Sequence, residues 1–318
     1  LIRRAFVSSF ELWSFVIRIS SFEFILPAAA KLQWVPRMSY YNDYNYGGGS
    51  NLRLWIGVII AVVSVITYFS HTSVNPVTGE KQHLSMTADQ ETQLGLASAP
   101  EMSAQMGGDV PRDDPEAEEV RYVGKRVWQN SDAARSPYQY TYHLLADTNT
   151  VNAFALPGGQ VFITKALYDD LEDEAELAGV LGHETGHVVE RHSAQQVEKS
   201  ELGSRLVTAV AVGSQHSLRD GLAASVADQI LQLRFSRKDE SQADECGVRF
   251  MTQAGYDPRA MIDVMNVLME QSRGGHEPEF LVTHPYPEHR IVDIKAQLAG
   301  MFPNGVPGNL TRGKKLPR

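Results

Sequence analysis

Hydrophobic and polar positions change pattern along the chain. From Leu54 to Phe69 the residues carry no charge: Leu-Trp-Ile-Gly-Val-Ile-Ile-Ala-Val-Val-Ser-Val-Ile-Thr-Tyr-Phe. As a helix this run covers ~24 Å, slightly short of the ~30 Å hydrocarbon layer of a bilayer. Trp55 at one end and Tyr68 with Phe69 at the other stand where interfacial aromatics belong. From residue 85 the spacing turns helical and amphipathic. Thr87 caps a helix through Met106, with Asp89 and Glu91 in its first turn, and a second runs from Pro115 to about Asn130. Tyr138–Leu145 and Asn149–Leu156 are predicted strands, and Pro157-Gly158-Gly159 turns the chain into a third over Gln160–Thr164. A long helix is predicted over about 173–198, and others over 217–234, 237–254, 257–272 and 285–299. The class is α+β, mostly helical, with one domain over 85–300, a linker over 71–84 and a flexible tail over 301–318.

The segment before the apolar run has a different character. Residues 38–51 are a low-complexity Tyr/Asn/Gly tail that cannot build a core. Residues 1–37 mix apolar runs with Arg18, Glu11 and Glu23; they read as an over-extended frame with translation starting at Met38, or as a poor signal peptide. Arg37 and Arg53 precede the run while Glu80, Asp89 and Glu91 follow it. By the positive-inside rule, 54–70 is then a single-pass anchor in the cell membrane, with everything after residue 70 on the extracytoplasmic side. A cleaved signal peptide is the rival reading, weakened by the lack of a small-x-small site after Phe69. The formal net charge of -9, without a basic stripe, makes nucleic acid a poor partner. One cysteine, Cys246, excludes an internal disulfide framework and reads as a small buried hydrophobe.

Chemistry concentrates in two places. His183-Glu184-Thr185-Gly186-His187 sits in the long predicted helix, where positions i and i+4 share a face, so both imidazoles can reach one cation. Glu184 projects beside that cation and can take a proton from water. A catalytic zinc needs a third protein ligand. The HExxHxxGxxH arrangement is excluded, because position 190 is Glu and position 193 is Ser. On a continuous helix His192 falls on the face opposite His183, as a surface or second-layer residue. The best third ligand is Glu240; Asp244, one turn on, can accept a hydrogen bond from the outer nitrogen of a ligand histidine. Ala243 and Gly247 are small enough to let the two helices approach closely.

Gly182-His183-Glu184-Thr185-Gly186-His187 with Arg191-His192, then Glu240-Ser-Gln-Ala-Asp244, resemble the HtpX-like and CAAX-prenyl-protease-type zinc metallopeptidases of the gluzincin type. The single-anchor layout is more similar to the branch that includes bacterial periplasmic proteases such as BepA and LoiP. Asn152-Ala153-Phe154-Ala155-Leu156-Pro157-Gly158-Gly159 resembles the family's active-site strand and turn, and Thr283-His284-Pro285 with Arg290 its C-terminal catalytic motif. The resemblance implies a zincin-like fold with a small antiparallel sheet beside the HExxH helix, and one Zn2+ per chain. It makes His284 and Arg290 catalytic candidates as donors to the tetrahedral oxyanion. It implies a metalloprotease working in protein quality control, on unfolded or misassembled proteins. Backbone of the 149–156 strand would align an extended substrate through Asn152, Ala153, Phe154 and Ala155. A segment around 200–216, or His284 itself, is expected to shield the metal at rest. The chain departs from HtpX-type members, since Leu206–Val212 is too short for a further membrane span. The alternative is a latent protease acting mainly as a chaperone-like binding module. Oligomeric state is not legible.

Overall fold

The computed structural model describes residues 49–214, 233–273, 278–285 and 287–318. The chain divides into two compact units, Leu1–Gly47 and Gly48–Arg318, and the described residues all lie in the second. They begin with α1 (Gly49–Ser70), the hairpin β1 (Thr72–Val74) and β2 (Lys81–His83), then α2 (Ala88–Gln105) and α3 (Pro115–Gln129). A short 3-10 turn leads to β3 (Thr141–Leu145), β4 (Ala153–Leu156) and β5 (Gln160–Thr164). The remainder is helical: α4 (Lys165–Asp170), α5 (Glu174–Val189), α6 (His192–Ser214), α7 (Arg237–Gln253), α8 (Ala260–Arg273), α9 (Glu279–Thr283) and α10 (Pro287–Met301). The helix predicted over 217–234 lies outside the described residues up to 232.

All residues of α5 are buried, so this helix is the axis of the domain. It packs between the sheet and α3 on one side and α7 and α8 on the other. The strands run in the order β3-β5-β4. β4 and β5 are antiparallel across the Gly158-Gly159 turn, whereas β3 and β5 are parallel. The sheet is therefore mixed rather than antiparallel, because the chain leaving β3 crosses to the far edge before the hairpin inserts β5 between them. Phe162 sits opposite both His143 and Phe154, and the three rings stack at 4.5 and 4.8 Å between centroids.

The long predicted helix is two helices. α5 stops at Val189, Arg191 adopts a left-handed φ of 59°, and α6 restarts at His192. A bulky residue there costs backbone strain. The Arg191 guanidinium is held in place by an ion pair with Glu91, and it donates to the Met86 carbonyl at 2.8 Å and the Ser73 hydroxyl at 3.2 Å. The expected linker 71–84 is likewise folded onto this corner. Asn75 donates to the Val189 carbonyl at 2.7 Å and Gln82 to the Glu190 carbonyl at 2.8 Å, which satisfies two of the orphan acceptors at the end of α5. α1 lies along α6.

The expected flexible tail is also fixed, which corrects the composition-based reading. Its backbone carbonyls at Lys314 and Arg312 accept from the amides of Glu174 and Ala175 at 3.0 Å, capping the first turn of α5. Arg312 pairs with Asp173 at 2.8 Å, Glu176 at 2.7 Å and Asp263 at 2.6 Å. Leu316 is buried at the same end. Arg312→Ala strands three carboxylates and is expected to cost about 2 kcal/mol, lowering the urea midpoint by roughly 1 M with unchanged slope.

Candidate metal centre

The centre depends on how closely α5 and α7 approach. Gly186 faces Ala243 and Cys246, and a Cβ there would lie 2.8 Å from the Ala243 carbonyl oxygen and 3.0 Å from the Cys246 Cβ. A Cβ on Gly247 would lie 3.0 Å from the His183 amide nitrogen. The small residues expected on α7 are thus matched by Gly182 and Gly186 on α5. Ser236 caps α7 in a reciprocal box with Asp239, which sets Glu240 in the first turn, over the two imidazoles of α5.

His183, His187, Glu240 and His284 converge, with one ligand atom from each lying within 4.8 Å of all the others. His183 Nε2 is 3.0 Å from His187 Nε2 and 3.3 Å from His284 Nδ1, which is 3.0 Å from Glu240 Oε1. His183 Nδ1 faces Asp244 Oδ1 at 2.9 Å, so its N–H is spent there and the Nε2 lone pair turns to the cluster. Burial pulls both His183 and His187 down to about 4, leaving the imidazoles neutral, the form that binds metals. Burial pushes Glu240 up, but His284 and Arg290 outweigh it and hold the carboxylate well below its ordinary range. Ring nitrogens of three histidines and a carboxylate oxygen are gathered here, and one cation would satisfy their lone pairs together. This donor set suits a divalent metal of the zinc type.

Around the cluster, Arg290 grips Asp244 with two bonds of 2.8 and 2.7 Å and pairs with Glu240 Oε2 at 2.9 Å. Its fork is taken up by these two acids, so it holds the His183–Asp244 pair in place. Glu184 is 1% exposed, and its Oε1 lies 3.7 Å from His284 Nε2. Burial raises the Glu184 pKa against the pull of His284 and His187. His192 is buried with Nδ1 2.9 Å from His187 Nδ1. It belongs to the second layer, but the opposite-face placement fails because the helix breaks at Arg191. Phe235, whose ring sits 4.1 Å from that of His187, carries no signal in the sequence.

Beside the cluster a cleft is lined by Asn152, Phe154, Ala155, Ser193, Phe235 and His284. Among the described residues β4 pairs with β5 alone and so forms the edge of the sheet here. Ala153 is the exception among the four expected contact residues, since it does not line the cleft and has no exposed surface; Ala155, on the same face of the strand, is nearly buried as well. Residues 200–214, expected as a shield, continue α6 along α1 instead, and His284 is the group found at the cluster. Cys246 is buried, and burial pushes its thiol up, as suits an inert core residue.

Two substitutions separate packing from ligand orientation. Gly186→Ala forces the helices apart and is expected to lower stability by about 1–3 kcal/mol and weaken metal binding with it. Asp244→Asn is expected to keep the fold while metal affinity falls ~10–100-fold in a chelator competition.

The sequence pattern of peptidase family M48 matches residues 114–298. A beta-barrel assembly-enhancing protease of Yersinia pestis is 30% identical over 240 residues, 72% of this chain and 48% of that protein. The protein of the same name from Escherichia coli (strain K12) is 28% identical over 239 residues, again 48% of its length. The chain thus spans about half the length of these curated relatives. The mitochondrial metalloendopeptidase OMA1 of Schizosaccharomyces pombe is 32% identical over 248 residues, 77% of this chain and 72% of that protein. With more than half of the chain inside the family pattern, and the paired histidines and Glu240 of its centre brought together by the fold, the chain belongs to peptidase family M48.

Proposed function

We propose that the protein is a membrane-anchored zinc endopeptidase that cleaves unfolded or misassembled proteins in protein quality control. The observation that carries this reading is the buried convergence of His183, His187 and Glu240, with Glu184 alongside and a cleft at a sheet edge. The names of the relatives, protease and metalloendopeptidase, support the reaction class.

Bound by His183, His187 and Glu240, Zn2+ would supply an acidified water and polarise the scissile carbonyl. Glu184 is the general base: its burial raises its proton affinity, so it takes the proton of the attacking water and returns it to the leaving amine. His284, with Nε2 near Glu184, is the donor to the developing oxyanion. Arg290 acts through Asp244 and Glu240 as a positioning residue, which replaces the direct oxyanion role expected of it. The edge of β4 supports backbone pairing with an extended substrate, and Phe154 offers its side chain to it.

α1 is long and apolar enough to cross a membrane. We read it as a single-pass anchor in the cell membrane, with the catalytic domain on the extracytoplasmic side, on the strength of Arg37 and Arg53 before its uncharged run. His284 stands within the ligand set, which favours a restrained resting form in which its ring takes the place of water. That observation also supports the second reading, a latent protease serving mainly as a binding module for unfolded chains.

Zinc content and casein degradation, measured together, decide between the two. Glu184→Gln is expected to keep about one zinc per chain while cleavage falls at least ~100-fold, and a chelator is expected to abolish wild-type cleavage. Zinc in both proteins with cleavage in neither would favour the binding module; no zinc in either would sink the ligand assignment.

A further inference from the structure

The cleft beside the metal cluster has an apolar lining that the sheet and α2 build together. Phe154 of β4 projects to the face of the sheet that α2 covers, where its ring stacks on Phe162 at 4.8 Å. Met102 of α2 belongs to the same apolar cluster as Leu145, Leu156 and Val197, and it has no exposed surface. Leu233 and Phe235 complete the apolar lining. The Phe235 ring lies 5.0 Å from that of His284 and 4.1 Å from that of His187, so the cleft abuts the metal cluster. Asn152, which also lines it, is 3% exposed, and its Oδ1 has no hydrogen-bond partner among the described residues. A main-chain amide of a bound chain would satisfy that oxygen.

Residues opposite each other across a β-ladder share a face. The residue of an extended substrate that pairs with Phe154 therefore points into this cleft, next to His284 and so next to the bond at the metal. The space open to water in the cleft is about 20 Å3, room for roughly one or two water molecules. A methyl or isopropyl group fits such a space, whereas an aromatic ring or a long aliphatic chain meets Met102 at its floor. Among the described residues no carboxylate lines the cleft, so a lysine or arginine would lose its water there without gaining a partner.

We propose that Met102 sets the depth of this cleft and makes it a specificity pocket, so that the protein selects extended chains with a small, uncharged side chain beside the bond it cuts. The inference rests on the reading of the protein as an endopeptidase. Met102 does not touch the ligands; it acts by limiting what fits next to them. Its own position is fixed by α2, whose Gly95 packs on the Pro157 carbonyl of the β4–β5 turn. The pocket floor and the edge that aligns the substrate are thereby held to each other.

The test uses the full chain, zinc-loaded in detergent, with casein as substrate and mass spectrometry of the new termini. In the wild type, one of the positions flanking the cut is expected to hold Ala, Ser or Val at least ~3-fold more often than casein supplies them, with Phe, Trp and Lys depleted. Met102→Ala is expected to admit Leu and Phe there, raising kcat/KM for a casein-site peptide bearing Phe at least ~10-fold. Leu233→Ala opens the same lining at a half-buried position and is expected to act in the same direction. Met102→Leu keeps the volume and the wild-type profile. Without turnover, zinc-loaded Glu184→Gln is expected to bind the Ala form of that peptide ~10-fold more tightly than the Phe form by fluorescence anisotropy, and adding Met102→Ala removes the difference. A flat wild-type profile, or one unchanged in both enlarged variants while they cleave casein, overturns the proposal and leaves the endopeptidase reading standing. Bound zinc without cleavage in the wild type removes that reading and this inference with it.

Discussion

The domain is organised around a carboxylate that must be held against two imidazoles where water does not reach. Burying Glu240 alone would neutralise it, since desolvation in an interior costs several kcal/mol per charge. The chain meets that cost with Arg290, which reaches Glu240 and Asp244 from α10 in one planar fork. Asp244 in turn holds His183 by its outer nitrogen. Four helices are thereby committed to one point: α5 for the imidazoles, α7 for the acids, α10 for the arginine, and α9, whose last turn delivers His284.

Packing serves the same end. Helices with ordinary side chains lie 8–10 Å apart, and small residues at the contact allow a closer approach. Gly182, Gly186 and Gly247 remove the side chains that would keep α5 and α7 at that distance. The apolar contacts that stabilise this pair, among them Leu181, Val248 and Met261, lie beside the contact and exclude water from it.

Much of this was legible because it is local. The i, i+4 pairs His183/His187 and Glu240/Asp244 follow from helix geometry alone, and so do the capping of α2 and α3 and the small residues of α7. What the sequence hid depends on partners distant along the chain. The helix break at Arg191 has no glycine or proline to announce it; Glu91, Ser73 and the Met86 carbonyl, all 100 residues or more away, hold it there. The same holds for the tail: composition reads 303–318 as loose, but its carbonyls cap α5, and Arg312 finds three acids from two helices and a loop. The expectation of an antiparallel sheet fails for a related reason. Adjacent strands in sequence do pair as a β4–β5 hairpin, but nothing local says that β3 joins the inner strand.

The break at Arg191 then has a consequence for the whole molecule. Had the helix continued, residues 192–214 would have projected from the end of α5, and His192 would have faced away from the ligands. Turning the chain there brings His192 onto His187 and lays α6 along α1. The same corner receives the hairpin that follows α1, through Asn75 and Gln82. Two segments that run beside each other outside the domain are thus fastened to the last residues of the metal helix, one by hydrogen bonds and the other by direct continuation of the chain. A displacement of α1 relative to the domain pulls on the hydrogen bonds by which Asn75 and Gln82 hold the end of α5. The strained residue is therefore where the position of α1 and the geometry of the metal cluster meet.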